Sequence, residues 1–278
     1  MAKVRGQKRP KGKPPKRGFP TSWVVAALFL AAVAGIFVLN SQQLTLSIPE
    51  AARAAIIDQL YASYPNEEFT TRVTRELEDY GFEVDVYQGD TVTVDFYENL
   101  LTYGYSLIVF RAHSGLVAEV RELDLPIGTY LFTNETYSSI KHPREQLNDE
   151  VRKARVGEGY PYVFAIGPKF ITDSMKGNFD NTVVIIGGCS GLSDDDLAQA
   201  FVDRGASAYL AWDDSVDLDY IDEAVVSLVK NLCSKRVTVK TAVELTMATI
   251  GPDPKHHAVL GYYPRGNGNK TIGELIGN

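Results

Sequence analysis

Two unbroken aliphatic runs, each ending at small residues around one reactive side chain, constrain this chain more than any other feature. The first is Ser106-Leu107-Ile108-Val109-Phe110-Arg111-Ala112-His113-Ser114-Gly115, and the second is Thr182-Val183-Val184-Ile185-Ile186-Gly187-Gly188-Cys189-Ser190-Gly191. Continuous β-branched and aliphatic runs of this length read as strands buried on both faces, as in a parallel sheet. Parallel strands deliver whatever follows their C-terminal ends to one edge of the sheet. If the two strands are neighbours, the His113 imidazole faces the Cys189 thiol there, which is a nucleophile with its general base. Taken singly, a cysteine after an apolar strand is usually a small buried hydrophobe, and a histidine near a turn is usually a satisfied polar residue. The paired pattern is less common, and its glycines let backbone N–H groups approach a reacting carbonyl.

The arrangement resembles the caspase-like cysteine peptidases of clan CD, the group of caspases, legumains, gingipains, clostripain, separase and CHAT domains. His113-Ser114-Gly115 matches the His-x-Gly that ends one family strand, and Gly188-Cys189 matches the small residue and nucleophile that end another. Ala54-Ala55-Ile56-Ile57-Asp58 looks like the family's first strand, and Ala206-Ser207-Ala208-Tyr209-Leu210-Ala211-Trp212 like the strand after the nucleophile. The likeness covers roughly residues 50 to 265. The 76 residues from His113 to Cys189 exceed the expected spacing, which implies an insertion over 117–180.

This resemblance implies an α/β fold with a doubly wound, mostly parallel sheet flanked by helices. It implies a cysteine endopeptidase in which Cys189 attacks the scissile carbonyl and His113 protonates the leaving amine. The backbone N–H groups of Gly115 and Cys189 would hold the oxyanion. It places Asp58, Trp212, Asp213 and Asp214 around the residue before the cut, where carboxylates would select Arg or Lys. Against that, Asp58 reads equally as a strand-end or capping residue, and Asp213 and Asp214 as a turn. No metal or cofactor is implied. Two other functions stay open: a catalytically inactive caspase-like binding domain on the membrane, and a transpeptidase-type relative whose thioester is intercepted by an amine.

Charge is unevenly spread. Residues 1–20 hold eight of the 28 Lys and Arg residues and no acid, leaving 20 basic residues against 35 acidic ones. A globular part with that excess of carboxylates is a poor nucleic-acid binder and would attract basic substrates. The leader 1–21 is rich in Pro and Gly and reads as a disordered cytoplasmic tail. Residues 22–40 follow as a transmembrane signal anchor, with Trp23 to Leu39 free of charge, long enough to cross a hydrocarbon core of about 30 Å with flanking residues included. The competing reading is a cleaved signal peptide ending at Ala32-Val33-Ala34, but the apolar run continues through Leu39. The positive-inside rule then leaves the N-terminus cytoplasmic, with a linker over 41–50 and an outward-facing domain over 51–278. The lipid bilayer and a peptide or protein substrate are the expected partners. Two cysteines make no disulfide framework, although an outward-facing Cys189 and Cys233 could pair.

Along the outer domain, Asn66 can cap a helix striped by Phe69, Val73, Leu77 and Tyr80 and closed by Gly81. Phe82 to Tyr87 alternates as an edge strand, and Val92 with Val94 suggests another short strand before a helical turn to Tyr103. The insertion between the His and Cys strands reads as a β-rich flap beside the active-site edge, or else as a packing appendage: Leu123–Gly128 reads as strand-to-turn, Tyr130–Thr133 and Tyr162–Ile166 as strands, and Lys141–Val156 as part helix and part loop. Asp194-Asp195-Asp196 opens a helix with Leu197 and Phe201, its acids matching the helix dipole better than a calcium site. Stripes at Ile221, Val225, Leu228 and Leu232, and at Val239, Val243 and Met247, mark two more helices. His256-His257 reads as surface loop, and Asn134-Glu135-Thr136 and Asn269-Lys270-Thr271 are sequons.

Overall fold

The structure, a computed structural model, describes residues 52–116 and 128–277. The leader, Trp23 to Leu39, the linker and most of Leu123–Gly128 lie outside the described residues. Strands follow in chain order as β1 (Arg53–Asp58), β2 (Glu83–Gln88), β3 (Leu107–Arg111), β4 (Ser114–Leu116), β5 (Thr129–Thr136), β6 (Val151–Ala154), β7 (Val163–Ile166), β8 (Thr182–Gly187), β9 (Ala206–Trp212) and β10 (Leu260–Tyr263). The α-helices are α1 (Glu67–Tyr80), α2 (Val94–Asn99), α3 (Pro143–Leu147), α4 (Asp196–Asp203), α5 (Leu218–Leu232), α6 (Val239–Ile250) and α7 (Ile272–Ile276).

Six strands form the main sheet in the order β10-β9-β8-β3-β1-β2, with every pairing parallel except β9 to β10. The continuous apolar runs follow from cover on both faces. Alternate residues Ala54, Ile56, Leu107, Val109, Val183 and Ile185 pack under α1, α5, α6 and α7. Their neighbours Ala55, Ile57, Ile108, Phe110, Val184 and Ile186 pack on the other face, with residues of α2 and α4. A mostly parallel sheet with helices on both faces is an α/β architecture compatible with a doubly wound fold.

Local chemistry sets the elements around the site. The Asn66 side chain accepts from Phe69 N–H at 3.0 Å and starts α1, and Gly81 at φ 116° ends it. Phe69, Val73 and Leu77 are the buried stripe. Val94 opens a helix instead of a strand, because Thr93 Oγ1 takes the Phe96 N–H and caps α2.

A second, antiparallel sheet has the order β4-β5-β7-β6. It begins at Ser114, so the departure from the main sheet lies directly after His113. The segment expected as part helix and part loop holds α3 and also the strand β6, whose pattern is masked by Arg152 and Lys153. Arg152 is buried, paired with Asp149 at 2.6 Å and laid over the Tyr130 ring at 4.5 Å. Beyond the last predicted helix, β10 adds an antiparallel edge to β9, and Thr271 caps α7 with a capping box.

Candidate active site

β3 and β8 are parallel neighbours, and their register aligns Arg111 with Gly187. His113 and Cys189 each stand two residues beyond that pair. Both line one cleft of about 190 Å³ at the C-terminal edge of the sheet. Its other walls include Leu60, Tyr64, Val216, Leu218 and Ile221.

Each reactive residue is fixed by its backbone. The His113 N–H donates to Gln59 Oε1 at 2.9 Å, and its carbonyl accepts from Phe132 N–H at 2.9 Å. The ring meets Tyr64 edge-on, centroids 6.1 Å apart, and packs near Phe132 at 5.9 Å. Its Nε2 is buried with no hydrogen-bond partner among the described residues. Ser114 Oγ donates to the Cys189 carbonyl at 2.7 Å, and Thr129 Oγ1 to the Ser190 carbonyl at 2.8 Å. Ser190 sits at φ 58°, the left-handed conformation of the sharp turn after Cys189. Gly188 is required by space: a Cβ there would lie 2.4 Å from both the Ala112 carbonyl oxygen and Ser114 Oγ.

The thiol faces the loop after β9. Val216 N–H donates to Cys189 Sγ at 3.4 Å, and Sγ lies 3.7 Å from the Val216 carbonyl as a donor. Burial pushes the thiol above its ordinary range, and Asp253, Asp214 and Asp217 add to that; the Val216 N–H opposes it. Burial, reinforced by Arg111, pushes His113 down to about 4. At neutral pH the pair is therefore thiol and neutral imidazole. The two side chains share the cleft without a hydrogen bond between them: Sγ donates to the Val216 carbonyl, and Nε2 has no partner among the described residues.

The two expected oxyanion donors differ. Among the described residues, Cys189 N–H has no acceptor. Gly115 stands opposite Tyr130, two residues beyond the His113–Phe132 bond. The alternation of an antiparallel ladder turns its N–H towards β5.

The residues expected around the substrate do not line this cleft. Asp58 is wholly buried at the end of β1, where its Oδ1 accepts from Arg111 Nη1 at 2.9 Å. Burial raises its carboxyl above the usual carboxylate range, with Arg111 opposing. Trp212 is also wholly buried, its indole N–H reaching the Tyr220 hydroxyl at 3.3 Å. Asp213 is exposed and accepts from Val259 N–H at 2.7 Å, tying the loop to the approach of β10. Asp214 is exposed and accepts from Ser215 N–H at 2.6 Å, while its carbonyl accepts from Ser190 N–H. Burial takes Asp58 and Trp212 out of reach of a substrate, which corrects their expected place in the wall, while Asp213 and Asp214 stay exposed on the loop after β9 and the charge of Asp214 reaches the Cys189 thiol.

The sequence reading does not reach the Arg111 network or the cleft walls. Arg111 is buried, bonded through Nε and Nη2 to Asp222 at 2.7 and 2.9 Å, through Nη1 to Asp58 and the Tyr64 carbonyl, with Phe69 beneath it. The signal was an arginine inside an apolar strand, which demands buried carboxylates. Cys189 and Cys233 are both free thiols. Among the described residues, Asp217, Asp253 and His256 form a group of potential metal ligands. Asp253 there already accepts three backbone N–H groups, those of Asp217, Lys255 and His256. No protein-family model matches this chain, and no curated protein matches it. No described helix is long and apolar enough to cross a membrane.

Proposed function

We propose that the chain is a caspase-like cysteine endopeptidase, with Cys189 as nucleophile and His113 as acid–base. The observation that supports this most is the register of β3 on β8, which carries both side chains to one cleft from strands 76 residues apart in sequence. In the reaction, Cys189 Sγ bonds to the scissile carbonyl carbon while its proton passes to His113. The oxyanion is taken by Cys189 N–H. Collapse breaks the C–N bond, and the leaving amine takes the proton from His113. Water then hydrolyses the thioester, with His113 as base. We further propose that Trp23 to Leu39 anchors the domain on the outer side of a membrane, on the strength of the basic leader and that uncharged run. An inactive binding domain would keep the fold without turnover.

The test is hydrolysis of a mixed peptide library by the full chain, followed by mass spectrometry, beside Cys189→Ala and His113→Gln. Loss of at least a thousandfold in rate for Cys189→Ala, with melting unchanged, is the expected result. Equal cleavage by wild type and Cys189→Ala, or none by either, would end the peptidase reading.

A further inference from the structure

Resting on that reading, we infer that the cleft beside Cys189 receives an uncharged, apolar side chain of leucine to phenylalanine size from the residue before the cut. The walls that a substrate side chain meets are Leu60, Tyr64, Val216, Leu218 and Ile221, and none carries a formal charge. Around the cleft stand Asp214, Asp217 and Asp253, whose charges act on the Cys189 thiol. Asp214 accepts from Ser215 N–H, Asp217 pairs with Lys255 at 3.4 Å, and Asp253 accepts three backbone N–H groups. Behind the walls lies a buried cation. Arg111 is closed in by Asp58 and Asp222, and Asp222 also accepts from Asn66 Nδ2 at 2.8 Å. A lysine or arginine entering here would leave water for walls that present no carboxylate, and an aspartate would find no cation among the lining residues. Either burial is costly, while an aliphatic group gains by leaving water. The size follows from the space. A lined apolar cavity of about 150 Å³ holds a benzene ring, and this cleft offers about 190 Å³. The remaining lining residues, Ala112, Gly187 and Gly188, are small, and Leu218 and Ile221 bring α5 to the cleft.

The test uses the purified full chain and peptidyl acyloxymethyl ketones that differ only in the last side chain: Ala, Leu, Phe, Arg or Asp. The rate of modification at Cys189 is followed by mass spectrometry and peptide mapping. Leu and Phe probes should react at least tenfold faster than Arg or Asp probes, the factor expected from burying one apolar side chain. Leu218→Trp, at the half-buried start of α5, should lower the Leu and Phe rates tenfold and spare the Ala probe, with an unchanged melting temperature checking the fold. An Arg or Asp probe that outpaces Leu would overturn the apolar assignment while leaving the peptidase standing. An equal loss for all probes in Leu218→Trp would remove the wall from substrate contact. Failure of every probe to modify Cys189 would sink the peptidase reading itself, and this inference with it.

Discussion

His113 carries a cost that pH can reveal. Its folded value of about 4 lies below the ordinary 6.5 because the ring is buried beside Arg111. Between those two values the unfolded chain takes up a proton that the native ring refuses. Stability therefore holds above pH 6.5 and falls as pH drops towards 4, by on the order of 3 kcal/mol from this residue. His113→Gln should remove that part of the acid dependence, as measured by urea unfolding across pH 4–7. The same value places the acid limb of kcat/KM near pH 4; a limb near 6.5 would mean that the ring is solvated in the active enzyme. Gly188→Ala tests the opposite wall. Its methyl would collide with backbone at Ala112, which cannot swing aside, so the His113 and Cys189 strand ends must part and turnover should fall at least a hundredfold. His113 and Cys189 were legible in the sequence because each ends an aliphatic run. Val216 was not, because it acts through its backbone N–H, and a main-chain donor leaves no mark on residue type.

At the level of elements, the β1, β3 and α5 contacts meet in one buried guanidinium. Arg111→Met would strand Asp58 and Asp222 without a cation, and should cost about 3–5 kcal/mol in urea unfolding. Arg111→Lys keeps the charge but loses the two-pronged contact with Asp222, so it should restore part of that loss. A second staple joins the small sheet to the main one. Asn134 Nδ2 donates to the carbonyls of Gln59 and Gly89, at 2.7 and 2.8 Å, and its Oδ1 accepts from Gln59 Nε2. The Asn134 sequon is thus structurally spent, while Asn269 is exposed. Expressed in a glycosylating host, the chain should gain sugar at Asn269 and not at Asn134, which peptide mapping checks. Elements read well where periodicity was clean, as in α1 and α5. They were lost where a pairing partner decides the conformation: β6 carries two charges in four residues, and β10 gains its strand character from β9.

On the scale of the whole molecule, the mostly parallel α/β sheet followed from the fully apolar runs, since only a strand covered on both faces can be apolar at every position. The second sheet was legible as a β-rich insertion, through the strand patterns at Tyr130–Thr133 and Tyr162–Ile166, while β4 and β6 escaped the sequence. Its start at Ser114, immediately beyond His113, depended on long-range pairing that no local pattern encodes. If the anchor proposal holds, protease added to intact cells should shave the domain and spare the N-terminal tail, as followed by immunoblotting of both ends.

That junction has a consequence in time. β8 fills the slot between β3, more than seventy residues upstream, and β9, so His113 and Cys189 reach one cleft only after a distant part of the chain returns. Pairing across such a distance is slow compared with helix formation. A growing polypeptide carries its imidazole, and the whole small sheet beside it, before its thiol has been made. A chain still being born is therefore chemically silent towards its neighbours. After dilution from denaturant, reactivity at Cys189 should return with the slowest refolding phase and not with the early gain of helix.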